Sequence, residues 1–165
     1  PVDPLCGVAL NAGVPARRIF GCGLGVMLAR ADYCAKKRGV PDFLARGRVF
    51  GPHGQGLIVA NDTGEGYDDA LSRALTEETL RANLSVRATG YKPYIAPGLS
   101  SGAITILRAL SGDFFDASAH EDGVFFGRRL RLTAAGAERE QAELHPLLTA
   151  RIERTKRELK RCGID

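Results

Sequence analysis

Apolar residues recur along much of the chain at the three- and four-residue spacing that is typical of amphipathic helices. This spacing predicts helices over about 4–12, 26–38, 68–88 and 99–110, and a last helix from Pro146 to about Arg161. Asp3 is the predicted N-cap of the first helix, and Gly13, Gly39 and Gly90 are the predicted ends of the first three. For the second helix, the apolar residues that are available for a buried side are Val26, Leu28, Ala29, Tyr33 and Ala35.

Shorter apolar runs between these helices predict strands. They are Arg18–Gly21, Val49-Phe50, Leu57–Val59, Asp113–Ala119, Val124–Thr133 and an edge strand at Arg139–Leu144. His120-Glu121-Asp122-Gly123 has the composition of a tight hairpin turn. Helices mixed with hairpins predict an α+β domain in which a mainly antiparallel sheet packs with long helices.

The turn between Val49-Phe50 and Leu57–Val59 contains a histidine held between glycines, Gly51-Pro52-His53-Gly54. An imidazole has an unperturbed pKa of about 6.5, so at a strand end it is a candidate proton shuttle. A surface turn that happens to contain a histidine is the alternative, and this pattern alone leaves it open.

Composition excludes several classes of protein. Hydrophobic residues make up 44% of the 165 residues and charged residues 25%, which is typical of a globular domain and not of a disordered one. The net charge is +4, but the densest basic run, 151–161, also carries Glu153 and Glu158, so it resembles a solvated helix face rather than a nucleic-acid footprint. The four cysteines have no C-x-x-C spacing, which argues against a zinc site and favours a reducing cytoplasm. No apolar run reaches ~18 residues, so no membrane span is expected.

Gly21-Cys22-Gly23-Leu24-Gly25 lies before the second helix and could be taken for a dinucleotide-binding loop. The third glycine of G-x-G-x-x-G would fall at Val26, and no second strand with a ribose-binding acid follows. We therefore interpret the cluster as a tight strand-to-helix turn. The chain opens on Pro1 without an initiator methionine, which we interpret as a piece of a longer protein.

Four short motifs nevertheless occur in a characteristic order. They are Pro1-Val2-Asp3, Arg18-Ile19-Phe20-Gly21-Cys22-Gly23, Ala29-Arg30 and Gly51-Pro52-His53-Gly54. In this order the chain resembles the C-terminal, substrate-binding half of the lactate/malate dehydrogenase family. The resemblance implies that residues 1–165 form a single substrate-binding domain. It also implies that the family's N-terminal dinucleotide-binding domain is absent from this chain, so that the chain alone would be inactive.

The resemblance further implies the function of an NAD-dependent 2-hydroxy-acid oxidoreductase. His53 matches the family's catalytic base, and Arg30 matches the arginine that binds the substrate carboxylate. The NAD would be bound mainly by the N-terminal domain. The implied partners are a small 2-hydroxy or 2-oxo acid, that domain and further copies of the chain, with no nucleic acid and no membrane, in the cytoplasm.

Several positions depart from the family's pattern, among them Gln55, where the family commonly has aspartate. Met27 stands where the family has the aspartate that orients the catalytic histidine, and Asp32 stands where it often has a second arginine. Tyr91-Lys92 occupies pocket positions that are usually smaller, and Lys92 is a candidate replacement charge for binding substrate. Asp32 or Glu65 could orient His53 instead. These departures keep open a second hypothesis, a non-catalytic relative that acts as a metabolite-binding or assembly module.

Overall fold

The computed structural model describes residues 2–92 and 96–162. The helices in these residues are α1 (Val2–Asn11), α2 (Leu24–Lys37), α3 (Phe43–Arg46), α4 (Asp69–Ala88), α5 (Ala96–Leu110) and α6 (Pro146–Arg161), with a 3-10 turn at Ala16–Arg18. The strands are β1 (Arg48–Phe50), β2 (Ile58–Ala60), β3 (Phe114–Glu121), β4 (Val124–Thr133) and β5 (Gly136–Arg139). β1 and β2 form an antiparallel hairpin, and β3, β4 and β5 form an antiparallel sheet in that order. The predicted α+β class is confirmed.

The β1–β2 hairpin separates two hydrophobic cores. Val49 and Val59 point to one side, where they join the buried side of α2 and Leu75 of α4. Phe50 and Ile58 point to the other side, where they join residues of β4 and α6. Neighbouring strand residues face opposite sides of a sheet, so this alternation fixes the hairpin between both cores. The turn of the hairpin is therefore held at a well-packed junction.

Two further predictions are confirmed at the residue level. The turn between β3 and β4 is Asp122-Gly123 with φ of 53° and 83°, the positive values that a tight two-residue hairpin requires. The last helix begins at Pro146 and ends at Arg161, with Leu148, Ile152 and Leu159 buried as the spacing predicts.

Four predicted elements need correction. Arg18–Gly21 is not a strand, because Ala16–Arg18 forms a 3-10 turn and only Gly21 makes a bridge, to Ser118. The predicted edge strand Arg139–Leu144 lies earlier, at Gly136–Arg139, because Gly136 (φ 125°) turns the chain straight back onto β4. α1 begins at Val2, so Asp3 is not its N-cap. α5 begins at Ala96, and residues 93–95 of the predicted irregular segment lie outside the described residues.

The buried side of α2 also differs from the prediction. Its buried residues are Leu24, Met27, Leu28, Ala31, Cys34 and Ala35. Leu28 and Ala35 are thus buried as predicted, and Val26 is partly buried against this core. Ala29 and Tyr33 are exposed instead, Tyr33 to 62%. The helix carries apolar residues on both sides, so its own sequence does not define which side the hairpin and α4 cover.

Candidate functional site

Glycine conformation shapes the turn that carries His53. Gly51 and Gly56 both have φ of 91°, in the left-handed region that favours glycine. A Cβ on Gly51 would lie 2.6 Å from the carbonyl oxygen of Gly56, so a side chain there is excluded by contact as well. The Gly51 N–H donates to the carbonyl oxygen of Gly127 at 2.9 Å, which ties the turn to β4. The turn is thus tight and anchored before it reaches His53.

The imidazole of His53 is exposed but oriented. Its Nδ1 lies 2.8 Å from the carbonyl oxygen of Gly23, the residue immediately before α2. A carbonyl oxygen only accepts hydrogen bonds, so Nδ1 carries the hydrogen, and in the neutral form of the ring the lone pair lies on Nε2. The backbone carbonyl of Gly23 therefore favours this tautomer of the ring.

Met27 and Arg30 follow Gly23 on the same side of α2. The spacings i, i+4 and i+7 place the three residues above one another on a helix. Met27 is 1% exposed and belongs to the core, and its sulfur accepts a contact from Arg30 Nη1 at 3.7 Å. The guanidinium thus turns back toward the end of α2 where His53 lies. Gly23 and Arg30 are seven residues apart, which corresponds to about 10 Å along the helix axis. Because the Arg30 side chain turns back, its guanidinium lies closer to the Gly23 end of α2 than its Cα does.

Arg30 is a half-buried cation. Burial lowers the pKa of its guanidinium from the ordinary value. Among the described residues, no carboxylate forms an ion pair with it, and its one hydrogen-bond partner is the Met27 sulfur. A guanidinium stays protonated at neutral pH even when its pKa is lowered, so the site presents a charge without a counter-charge.

The other predicted site residues lie differently. Asp32 accepts a hydrogen bond from Lys36 Nζ at 2.7 Å, and Glu65 is exposed. Lys92 is exposed and forms no hydrogen bond or ion pair with another described residue, whereas its neighbour Tyr91 lines the same groove as Arg30. Sequence reasoning missed Gly23, because a backbone carbonyl leaves no signature in residue type.

The glycine cluster before α2 has a structural explanation. A Cβ on Gly25 would lie 2.7 Å from Thr105 Oγ1 and 3.1 Å from Ser101 Oγ, so this glycine permits close packing of α2 on α5. The approach is to protein, so the cluster does not fit a cofactor phosphate. Ser101, one of the small residues near the start of α5, lies in this contact with α2. Across residues 2–92 and 96–162, no group of three His, Cys, Asp or Glu side chains could hold a metal ion.

This arrangement of helices, hairpin and sheet is the α+β fold found in malate dehydrogenases. The malate dehydrogenase of Archaeoglobus fulgidus in complex with NADH superposes with a TM-score of 0.75 at 18% identity over 98% of this chain and 57% of that one. The malate dehydrogenase of Aeropyrum pernix gives a TM-score of 0.71 at 19% identity over 98% of this chain and 60% of that one. The chain thus spans less than two thirds of either protein. No protein-family model and no curated protein sequence matches, so the likeness is one of fold. None of the described helices is long and apolar enough to cross a membrane.

Proposed function

We propose that this chain is the substrate-binding domain of an NAD-dependent 2-hydroxy-acid oxidoreductase of the lactate/malate type. The observation that carries the proposal is a histidine oriented by the residue just before α2 together with an arginine of α2 that has no carboxylate partner among the described residues. His53 is held by Gly23 at the start of α2, and Arg30 is held by Met27 two turns later. The malate dehydrogenase fold supports the proposal, because it is a scaffold that is known to carry this chemistry.

His53 would act as the base. Its Nε2 carries the lone pair, so this nitrogen would accept the hydroxyl proton of the substrate as the hydride leaves the neighbouring carbon. The carbonyl of Gly23 fixes the tautomer but carries no formal charge. A carboxylate would form a charge-assisted bond to the imidazolium that is roughly twice as strong. We therefore expect a slower proton transfer than an aspartate partner would support.

Arg30 would bind the substrate carboxylate. A guanidinium offers two parallel N–H donors that match a carboxylate, and partial burial strengthens the attraction. Lys92 would add charge at the mouth of the site, since the exposed side chain follows Tyr91 directly.

The cofactor would be bound elsewhere. The described residues offer no dinucleotide loop, since Gly25 packs against α5, so NAD would be held mainly by an N-terminal dinucleotide-binding domain. Large exposed apolar side chains support such a neighbour or a second copy of the chain: Leu5 and Val8 on α1, and Leu107 and Leu110 on α5. We propose a cytoplasmic homo-oligomer in which these helices are covered.

A second candidate function is a non-catalytic metabolite-binding or assembly module. One observation favours it: the position of the family's aspartate is a core methionine that is 1% exposed and bonds Arg30 rather than His53. In this case Arg30 would still bind a carboxylic acid, but no proton transfer would follow.

The two functions are separated by kinetics on the full-length protein. We expect NADH oxidation with one or more of pyruvate, oxaloacetate and branched 2-oxo acids, and a loss in kcat of about 10²- to 10⁴-fold in His53→Asn. His120→Asn is the matched control, since His120 is also exposed and packs on Phe125 away from this turn. Binding of an acid without turnover, unchanged in His53→Asn, would support the second function and contradict the first.

A further inference from the structure

A groove of about 970 Å³ runs between α2 and α4. Its apolar lining includes Val26, Ala29 and Tyr33 on α2 with Val86 and Tyr91 at the far end of α4. Of these α2 residues, which the sequence assigned to the buried side, Ala29 and Tyr33 are exposed and Val26 is only partly buried. A large concave surface with an apolar lining and a few polar groups is the usual form of a small-molecule site.

The two helices run antiparallel along the groove. Arg38 at the end of α2 bonds Glu78 near the middle of α4, at 2.6 and 3.0 Å. Val86, which follows Glu78 on α4, lines the same groove as Val26 near the start of α2. This is possible only if α4 runs antiparallel to α2 from the Arg38–Glu78 contact. Tyr91 therefore lies toward the end of α2 that carries Arg30 and the His53 contact. The groove opens from the proposed carboxylate site and continues along α2.

The charges in the groove are uneven. Arg38 pairs with Glu78, and Arg81 pairs with Glu77 at 3.0 Å. Arg30 and Lys37 line the same groove, and among the described residues neither forms an ion pair with a carboxylate. Lys37 lies 5.8 Å from the centre of the Tyr33 ring instead. Two cations without a carboxylate partner in the described part of the chain, beside an apolar surface, indicate an occupant that is both anionic and apolar.

Other partly buried arginines in this chain show what Arg30 lacks. Arg48, Arg128, Arg129 and Arg151 have side chains that are 13–15% exposed, and each pairs with a carboxylate of the chain. A half-buried guanidinium without a carboxylate is thus an exception among these residues. Desolvation of such a charge is unfavourable unless a partner arrives from outside.

We infer that the α2–α4 groove binds the apolar side chain of a carboxylic acid whose carboxylate is held by Arg30. The inference rests on the proposed role of Arg30 and assigns the substrate class: 2-oxo or 2-hydroxy acids with an extended hydrocarbon side chain. Val26, Ala29 and Tyr33 would contact that side chain, while Lys37 remains beside the Tyr33 ring.

The test is isothermal titration of the full-length protein with 2-oxobutanoate, 2-oxohexanoate and 2-oxooctanoate. Each added methylene that enters the groove should tighten binding by about fourfold. 1-Octanol, which lacks the carboxylate, should bind weakly, and Arg30→Gln should reduce the affinity for 2-oxooctanoate at least tenfold. Arg73→Gln is the control for the change in charge, because Arg73 lies on α4 outside the groove and pairs with Asp69.

A matched pair of variants on α4 tests the position of the tail. Ser85 lines the groove, whereas its neighbour Leu84 is exposed outside it. Ser85→Phe should abolish the gain in affinity with chain length, and Leu84→Phe should leave it intact.

The inference would be overturned by equal affinities for all three acids or by no effect of Ser85→Phe. It would also be overturned by a dimer in which a second copy fills the groove and which dissociates in Ser85→Phe. Chain-length-dependent binding without NADH oxidation would keep the inference and reject the proposed oxidoreductase. Turnover of short acids without chain-length dependence would support the proposed oxidoreductase and overturn the inference about the groove.

Discussion

The two sides of α2 have similar apolar character but opposite surroundings. One side places Leu24, Met27 and Leu28 in the core against the β1–β2 hairpin and α4. The other presents Ala29 and Tyr33, and Tyr33 remains 62% exposed. Arg30 lies at the boundary, bonded to the first side and lining the groove on the second. This contrast shows that the burial of an apolar helix side depends on which neighbouring elements cover it. An apolar side that stays uncovered beside a charge is a candidate binding surface.

The largest expected effect separates these two sides by stability. Met27→Ala should lower the free energy of unfolding by about 3 kcal/mol, because it opens a cavity in a packed core. Tyr33→Ala should change it by no more than about 0.5 kcal/mol, as expected for an exposed position. Urea denaturation followed by circular dichroism measures both values.

Met27→Leu is the control for this comparison. It conserves volume, so it should cost less than about 1.5 kcal/mol. Equal losses in Met27→Ala and Tyr33→Ala would mean that the outer side of α2 is covered in solution, and the contrast between the two sides would not hold.

Much of the fold could be predicted from the sequence because local chemistry determines it. Pro146 starts α6, Asp122-Gly123 makes the β3–β4 turn, and Asp68 caps α4 through the N–H of Leu71. The misassigned side of α2 shows the limit. Its apolar residues satisfy helical spacing on two faces, so only the packing of distant elements decides between them.

Arg48 and Arg30 differ in their partners, since Arg48 bonds a carboxylate and Arg30 bonds the Met27 sulfur. Arg48 bonds Glu140 through two nitrogens at 2.6 and 2.8 Å and also donates to two backbone carbonyls. Arg48→Gln should therefore lower stability by about 2 kcal/mol, since it leaves the partly buried Glu140 carboxylate without its partner. Arg30→Gln should leave stability within about 0.5 kcal/mol or raise it, because it removes a half-buried charge that has no counter-charge.

Thermal and chemical unfolding of both variants in the absence of ligand measures this difference. A loss in Arg30→Gln as large as that in Arg48→Gln would mean that Arg30 has a structural partner, and the argument for an external carboxylate would fail.

The candidate site was only partly predictable for a related reason. Residue order brought His53 and Arg30 into consideration, and in the structure His53 contacts Gly23, just before α2, whereas Arg30 lies within α2. The carbonyl of Gly23 and the groove depend on backbone direction and helix packing, which no spacing of residue types encodes. Lys92 was predicted from its charge at a pocket position of the family, whereas it is Tyr91 beside it that lines the groove.

The smallest expected effect concerns a buried carboxyl whose pairing is weak. Asp116 is 4% exposed, and its nearest guanidinium, on Arg129, lies 3.6 Å away. Burial raises the pKa of this carboxyl above its ordinary value of 3.8, although Arg129 opposes the change. The folded state therefore holds the proton more tightly than the unfolded state, so the ionised carboxyl destabilises the fold once the pH exceeds the raised pKa.

Asp116→Asn should thus stabilise the protein at pH 7 by on the order of 1 kcal/mol. The gain should shrink as the pH falls through the raised pKa and vanish below 3.8, where both states are protonated. Denaturation midpoints of the two proteins, measured at about five pH values between pH 3 and pH 8, follow this trend. Asp113→Asn is the control, because Asp113 is exposed just before the same strand. A loss of stability at pH 7 would mean that Arg129 compensates the buried charge fully, and Asp116 and Arg129 would then join the well-paired group that Arg48 and Glu140 represent.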